Sequence, residues 1–454
     1  MRTADERAIA SGLPLRSSGD TGAWAVRLRR PLLAQALLLV GLLGALGSFT
    51  YDEIAQLRPV SLLCVLALFS WLVISVRFDS RWVKRVFLPA FGLLFLMVLY
   101  AYVFTLRTDA PLLPSILSQR DYAYLLLGPI VYLLYLRGWK LRDFQQTFLA
   151  AVFLTVAGLA AYDVALSSRS LLLSGSFFTL NLGEVSDQSS IYRLVNTSAL
   201  FLAVYLGGRL LQIKDAAWWG AALAAMALSA AILAISLPRG LLASIGAALL
   251  VYALFLSRPD RAKLALITLP LYATVIALTL PYFSNAFVDT FGQDRTYVAR
   301  VEEAQKARES FLEYPLLGFG SDSVQSISFQ DLFGHFYPSD IGLLGVAFQY
   351  GLVGVALYLL FGVWLCLDLL RLLWSHTDRL EGKQRTFLWA LFVICLSFLI
   401  ASPTQAKLLY GTGLPIGAFA WGLLMAHAHG RTRIHPSPGT ERAEIPEPAT
   451  SGHR

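Results

Sequence analysis

The chain has 454 residues, 56% of them hydrophobic and only 15% charged, with a mean hydropathy of +0.61. A soluble globular domain carries about 25% charged residues, so the composition excludes a water-soluble enzyme of this length. The formal net charge of +8 invites a nucleic-acid partner, a reading that the placement of the charges removes.

The first 30 residues are polar and Arg-rich and predict a disordered tail (1–30). A spanning helix needs roughly 20 mainly apolar residues. Segments that meet this need run near 31–49, 58–76, 86–106, 121–137, 146–166, 190–211, 217–236, 239–257 and 262–284. These predict transmembrane helices 1–9 within 31–284. A polar loop, 285–338, follows. Apolar segments resume at 340–373, 386–402 and 408–427, predicting helices 10–12 within 339–429, and a Pro- and Glu-containing tail (430–454) predicts disorder. The segment 340–373 is too long for one straight span and is rich in glycine, which predicts a tilted or broken helix with its break near Gly351. The fold class is an all-α polytopic membrane protein of about twelve transmembrane helices, with one large loop between helices 9 and 10.

With the N-terminus cytoplasmic, alternating spans put Arg27, Arg29 and Arg30, Arg77 to Arg85, Arg137 to Arg142, Arg258 to Lys263 and Arg371 to Arg385 on the inner side. Most of the 37 Lys and Arg fall there, as the positive-inside rule requires. The charge is a topology signal, and nucleic acid drops out as a partner. Both termini are predicted cytoplasmic. Cys64, Cys366 and Cys395 lie inside apolar runs without ligand spacing, so no disulfide framework or metal site is indicated.

The same topology puts 285–338 outside. Arg295 to Glu313 is charge-dense without Pro or Gly and predicts a helix, ended by Tyr314-Pro315 and followed by a turn at Gly318-Phe319-Gly320. Several cations stand near the outer boundary. Arg239 lies between Pro238 and Gly240, where two apolar segments nearly touch. Arg193 lies three residues inside a span, with Asn196 on the same face. Arg120 precedes Asp121 at the outer start of the fourth span, where the plainer alternative is a local ion pair, and Arg300 lies on the loop helix. Each alone also reads as an interfacial anchor or a solvated charge. His335, the only histidine outside, and Asp340 bracket the start of the tenth span and are candidate proton acceptors. Together these residues would make a cationic pocket at the outer leaflet. Arginine forks match phosphate oxygens, and a lipid diphosphate is the anionic group at that depth. No nucleotide loop, HExxH, CxxC or serine-nucleophile elbow is present.

Ser236-Leu-Pro-Arg239-Gly240, Arg300 ahead of Pro315-Leu-Leu-Gly318-Phe-Gly320, the stretch Ser339 to Gly354, and Arg193 with Asn196 resemble motifs of the O-antigen ligase and polysaccharide polymerase superfamily. The similarity covers about 185 to 375, with the flanking spans matched by topology only. The resemblance implies a bacterial inner-membrane glycosyltransferase whose periplasmic loop caps the active site. It implies an undecaprenyl-diphosphate-linked glycan donor, a glycan or lipid acceptor within the membrane, other polysaccharide-assembly proteins as partners, and neither cofactor nor metal. It carries over Arg239, Arg193 and Arg300 as diphosphate or glycan contacts, and Arg120 by position alone. One feature departs from the family pattern: where ligases commonly begin the post-loop helix with His-Asn, this chain has Asp340-Ile341. That shifts the expectation towards a polymerase of exopolysaccharide or O-antigen repeat units. Alternatives are a ligase moving polymer onto lipid A core or protein, and a transporter or flippase. Transporters tend to carry midplane charges and related halves, and neither pattern is found in the sequence.

Overall fold

A computed structural model describes residues 21–47, 57–76, 80–174, 189–210, 295–322, 336–403 apart from 376–379, and 413–434, with isolated positions within 219–249, 329–333 and 405–409. Among the described residues every long element is helical. In chain order they are α1 (Thr21–Ala45), α2 (Arg58–Ser75), α3 (Ser80–Thr108), α4 (Leu112–Ser118), a 3-10 segment (Arg120–Leu126), α5 (Leu127–Leu136), α6 (Leu141–Ser174), α7 (Ser189–Leu210), α8 (Arg295–Glu313), a 3-10 turn (Pro338–Ile341), α9 (Leu343–Ser375), α10 (Gly382–Ala401) and α11 (Gly413–Ile434). Among the described residues four helices are long and apolar enough to cross a membrane: α2, Lys84–Thr108 of α3, Leu343–Trp374 of α9, and α10. The expected spans 217–236, 239–257 and 262–284 lie almost wholly outside the described residues.

Local chemistry sets the ends. Pro59 occupies the first turn of α2, where its missing N–H costs no hydrogen bond. Asp109 at φ 52° and Pro111 end α3. At the end of α5, Gly138 (φ 94°) completes a Schellman motif, its N–H donating to Tyr135 O (2.9 Å) and that of Trp139 to Leu134 O (3.1 Å). Asp143, in the first turn of α6, then accepts the Lys140 N–H at 2.8 Å.

Several boundaries differ from the sequence expectation, α6 and α11 among them by running further at their C-terminal ends, and two differences are of kind. α1 begins at Thr21, so residues 21–30 of the expected tail are helical and carry Arg27, Arg29 and Arg30 as an extension of the span. The predicted span 121–137 is a seven-residue 3-10 segment followed by a ten-residue α-helix. At 2.0 and 1.5 Å per residue the two together reach roughly 30 Å, enough to cross a bilayer core. Apolar periodicity does not separate these two helix types.

The buried core is aromatic at several levels. Phe144 and Phe148 of α6, Phe201 of α7, Phe387 of α10 and Phe419 of α11 interlock, with Phe148 ring centroids 5.0 Å from Phe201, 5.7 Å from Phe387 and 4.6 Å from Phe419. Within lipid, such packing holds helices by dispersion and close approach rather than by expulsion of water. α5 and α11 are packed closely through glycine. A Cβ on Gly128 would meet Trp421 Cε3 at 2.6 Å, and one on Gly422 would meet Val131 Cβ at 2.7 Å. Gly422→Val should therefore destabilise by ~1–3 kcal/mol through overpacking, read as a lower midpoint in thermal unfolding of the detergent-purified protein. Gly92→Ala, where nothing lies within 4 Å, should leave the midpoint unchanged or raised; equal midpoints for both variants would refute close packing of α5 on α11.

Candidate functional site

α9 is broken where the sequence predicts. Gly351 has φ 63° and ψ −165°, and the helix resumes beyond it. In an unbroken helix the Leu352 and Val353 N–H groups would bond to Phe348 O and Gln349 O. Here the turn after α8 is inserted into that ladder. Leu352 N donates to Pro315 O (2.9 Å) and Val353 N to Leu316 O (3.3 Å), while Phe348 O accepts from Phe319 N (2.6 Å) and Gln349 O from Gly320 N (3.1 Å). Two helical bonds are replaced by four bonds to one turn, and none of these backbone groups is orphaned.

Glycine makes the approach possible. Gly318 (φ 64°) is so close to the break that a Cβ there would lie 2.5 Å from Gly351 N and 2.6 Å from Tyr350 N. Gly320 (φ 101°) is pressed against α3, where a Cβ would meet Phe104 Cα at 2.6 Å. The Gly-Phe-Gly spacing thus presents bare backbone to two helices at once and sends Phe319 between them. Phe319, Phe329, Phe333, Phe336, Phe348 and Phe104 form an aromatic cluster, with Phe319 stacked on Phe348 at 5.8 Å and Phe336 edge-on to Phe348 at 4.9 Å.

Side chains lock the turn from below. The Tyr350 hydroxyl is 2.7 Å from the Tyr122 hydroxyl and 2.9 Å from Ser321 Oγ, and the Tyr100 hydroxyl donates to Tyr350 O at 3.0 Å. Ser321 N donates to Tyr100 O at 3.1 Å, and Gln119 Nε2 donates to Ser321 O. From α3, Arg107 donates to Gly318 O, and its guanidinium lies over the Tyr314 ring, 3.6 Å from the centroid. The Glu313 carboxylate accepts the Tyr314 hydroxyl and holds that phenol above its ordinary range, against the opposing pull of Arg107. An apolar cavity of about 50 Å³ lies beneath, lined by Met97, Tyr100, Tyr350 and Gly354. Leu93 and Phe361 also line a second apolar cavity of about 410 Å³, which reaches Arg85, Trp364 and Trp421.

The residues chosen from sequence are distributed around this junction unevenly. Arg120 opens the 3-10 segment and is exposed; the expected Arg120–Asp121 pair is not formed, because Asp121 bonds to Arg58 of α2. Arg193 and Asn196 are in the first turns of α7, Arg300 is in α8 and Asp340 is in the 3-10 turn before α9. For these four the structure describes the backbone alone, and Arg239 and His335 lie outside the described residues. α8 packs on α9 and on the Pro338–Ile341 turn, with Tyr337 N donating to Glu303 Oε1 at 3.3 Å. The elements bearing Arg300 and Asp340 are therefore joined. Among the described residues no group of three or more His, Cys, Asp or Glu comes together as a metal site.

Sequence reasoning missed Arg107, Tyr100, Tyr122, Gln119, Ser321 and Tyr350. Arg107 at a span end reads as a snorkelling cation, and tyrosines in apolar runs read as core. Gly318→Ala should weaken docking of the turn by ~2 kcal/mol or more, from the positive φ and the clash. Trypsin should then cut faster after Lys306 and Arg308 than in the unsubstituted protein, and equal cutting would sink the docking account.

In comparisons with known proteins, residues 224–359 match the family model described as O-antigen ligase. The matched region includes α8 and the docked turn and runs past the break of α9. No curated protein matches the chain. With its apolar helices, the chain is a multi-pass membrane protein whose 224–359 region is similar to the O-antigen ligase family, and this match supports the O-antigen ligase and polymerase superfamily.

Proposed function

We propose that the protein is a bacterial inner-membrane glycosyltransferase that polymerises undecaprenyl-diphosphate-linked repeat units of a surface polysaccharide at the periplasmic face. The observation that carries this reading is the docking of the turn 315–320 into the broken helix, inside the region that matches the O-antigen ligase family. Beside it α8, which carries Arg300, packs on the Pro338–Ile341 turn, which carries Asp340. The apolar cavities along α3 and α9 offer room for part of a prenyl tail.

In the proposed reaction an acceptor sugar hydroxyl attacks the anomeric carbon of the donor. The new C–O bond forms as the bond to the diphosphate breaks, and the diphosphate leaves with the electron pair. The hydroxyl proton passes to His335, with Asp340 as the alternative base. Arg239 neutralises charge on the leaving diphosphate, and Arg193, Asn196, Arg300 and Arg120 hold the diphosphate or glycan. Loss of one fixed cation in such a site costs on the order of 100-fold in rate, and loss of the base about 100-fold or more. An imidazole titrates nearer neutrality than a carboxylate, which favours His335.

The description of the matched family as a ligase favours a second reading, transfer of finished polymer to lipid A core or protein. The two share their chemistry and differ in acceptor. In a deletion strain, single repeat units on the final acceptor are the result expected of a polymerase. Polymer held on the carrier lipid would move the assignment to ligase, and units confined to the inner leaflet would move it to a flippase. Arg239→Lys in the intact protein should shorten the polymer or abolish it, and unchanged chain length would remove Arg239 from the reaction.

A further inference from the structure

The outward face of α9 below its break carries Leu352, Val353 and Leu360, exposed by 51%, 38% and 68%. In a chain that spans a membrane this face meets acyl chains. The apolar surface does not stop at the break. The Leu352 and Val353 N–H groups are bonded to Pro315 O and Leu316 O, so the turn lies directly beside them. There Leu312 and Leu316 are each 66% exposed and Leu317 41%. Single exposed leucines need no explanation, but an apolar patch continuous with a lipid-facing surface marks a binding face.

Depth agrees with continuity. About 20 helical residues separate Gly351 from Arg371, roughly 30 Å, the thickness of a hydrocarbon core. With Arg371 and Trp374 at the inner boundary, the break and its inserted turn lie at the outer one. Arg107 stacked on Tyr314 is the side-chain pairing expected where headgroups begin. Along α8 the exposed residues Glu302, Lys306 and Glu309 are charged. Leu312 begins the apolar surface, which continues at Leu316 and Leu317. Glu313 stays exposed between them, close enough to act on Arg107 at the headgroup level.

We propose that the end of α8 and the turn Tyr314–Leu317 are inserted into the outer leaflet, with Leu312, Leu316 and Leu317 among acyl chains. The loop is thereby held by lipid as well as by the broken helix, at the depth of a lipid-linked substrate's headgroup. This rests on the membrane reading of the chain and not on the chemistry proposed above.

The test measures depth, not activity. Leu316→Cys, Lys306→Cys and Leu360→Cys are each made in a Cys64→Ala chain, where Cys366 and Cys395 stay buried. Each is spin-labelled in phospholipid nanodiscs. A label at 316 should resemble one at 360, open to oxygen and shielded from a water-soluble nickel chelate, and lose the nickel access seen at 306. Nickel access at 316 equal to that at 306 would overturn the proposal. A second measurement uses the unsubstituted protein in bilayers containing a diazirine-bearing phospholipid. Photolabelling of the peptide spanning Leu312–Leu317 is expected, and labelling of α9 without that peptide would overturn it.

Discussion

The insertion of 315–320 into the backbone ladder of α9 is the contact on which this end of the molecule depends. A broken helix exposes N–H and C=O groups, and an unsatisfied polar group away from water costs several kcal/mol. Gly351 creates that liability, and the turn removes it with four hydrogen bonds from one short stretch of chain. The two halves of the contact are mutually dependent. Without the turn the break is too costly to keep, and without the break the turn has no backbone to bond.

Other features follow from this contact. Glycine is required at 318 and 320 because a side chain on either would collide with a helix backbone. Arg107 holds Gly318 O from the side, and the Tyr350 hydroxyl links Ser321 of the turn to Tyr122 of the 3-10 segment. Buried networks of this kind are rigid to the extent that their members are satisfied, and here Gln119 Oε1 is the member left buried without a partner. Rigidity at this place suits the proposed reaction, since fixed cations and bases lower a barrier only when they need no reorganisation. The elements carrying Arg300 and Asp340 inherit their position from the docked turn, and their side chains need not create it.

Much of this architecture is legible in the sequence, for identifiable reasons. Apolar length gave α2 and α7 nearly to the residue and α10 within four, and charge density without breakers gave α8 from Arg295 to Glu313. The break at Gly351 and the turn at Gly318 to Gly320 were marked by glycine, whose conformational freedom is a property of the residue itself. What depends on distant neighbours was not legible. Asp121 is adjacent to Arg120 in the chain and bonds to Arg58, and that choice is made by helix packing. Arg107 looked like any cation at a span end until its acceptor, 211 positions away, came into contact.

The tyrosines carry the same lesson further. Tyr100, Tyr122 and Tyr350 read as core in an apolar sequence, and they are buried. Their value lies in having an apolar body and one polar tip, which fits a site where a lipid-level bundle ends and a hydrogen-bonded turn begins. Phenylalanine at 350 would fill the same volume and leave Ser321 and Tyr122 without their shared hydroxyl. This end of the bundle is thus specified by placing polar atoms beside a backbone that has lost its helical partner. This explains why a motif of glycines, legible in one dimension, needs three tyrosines and an arginine, legible only in three, to hold its shape.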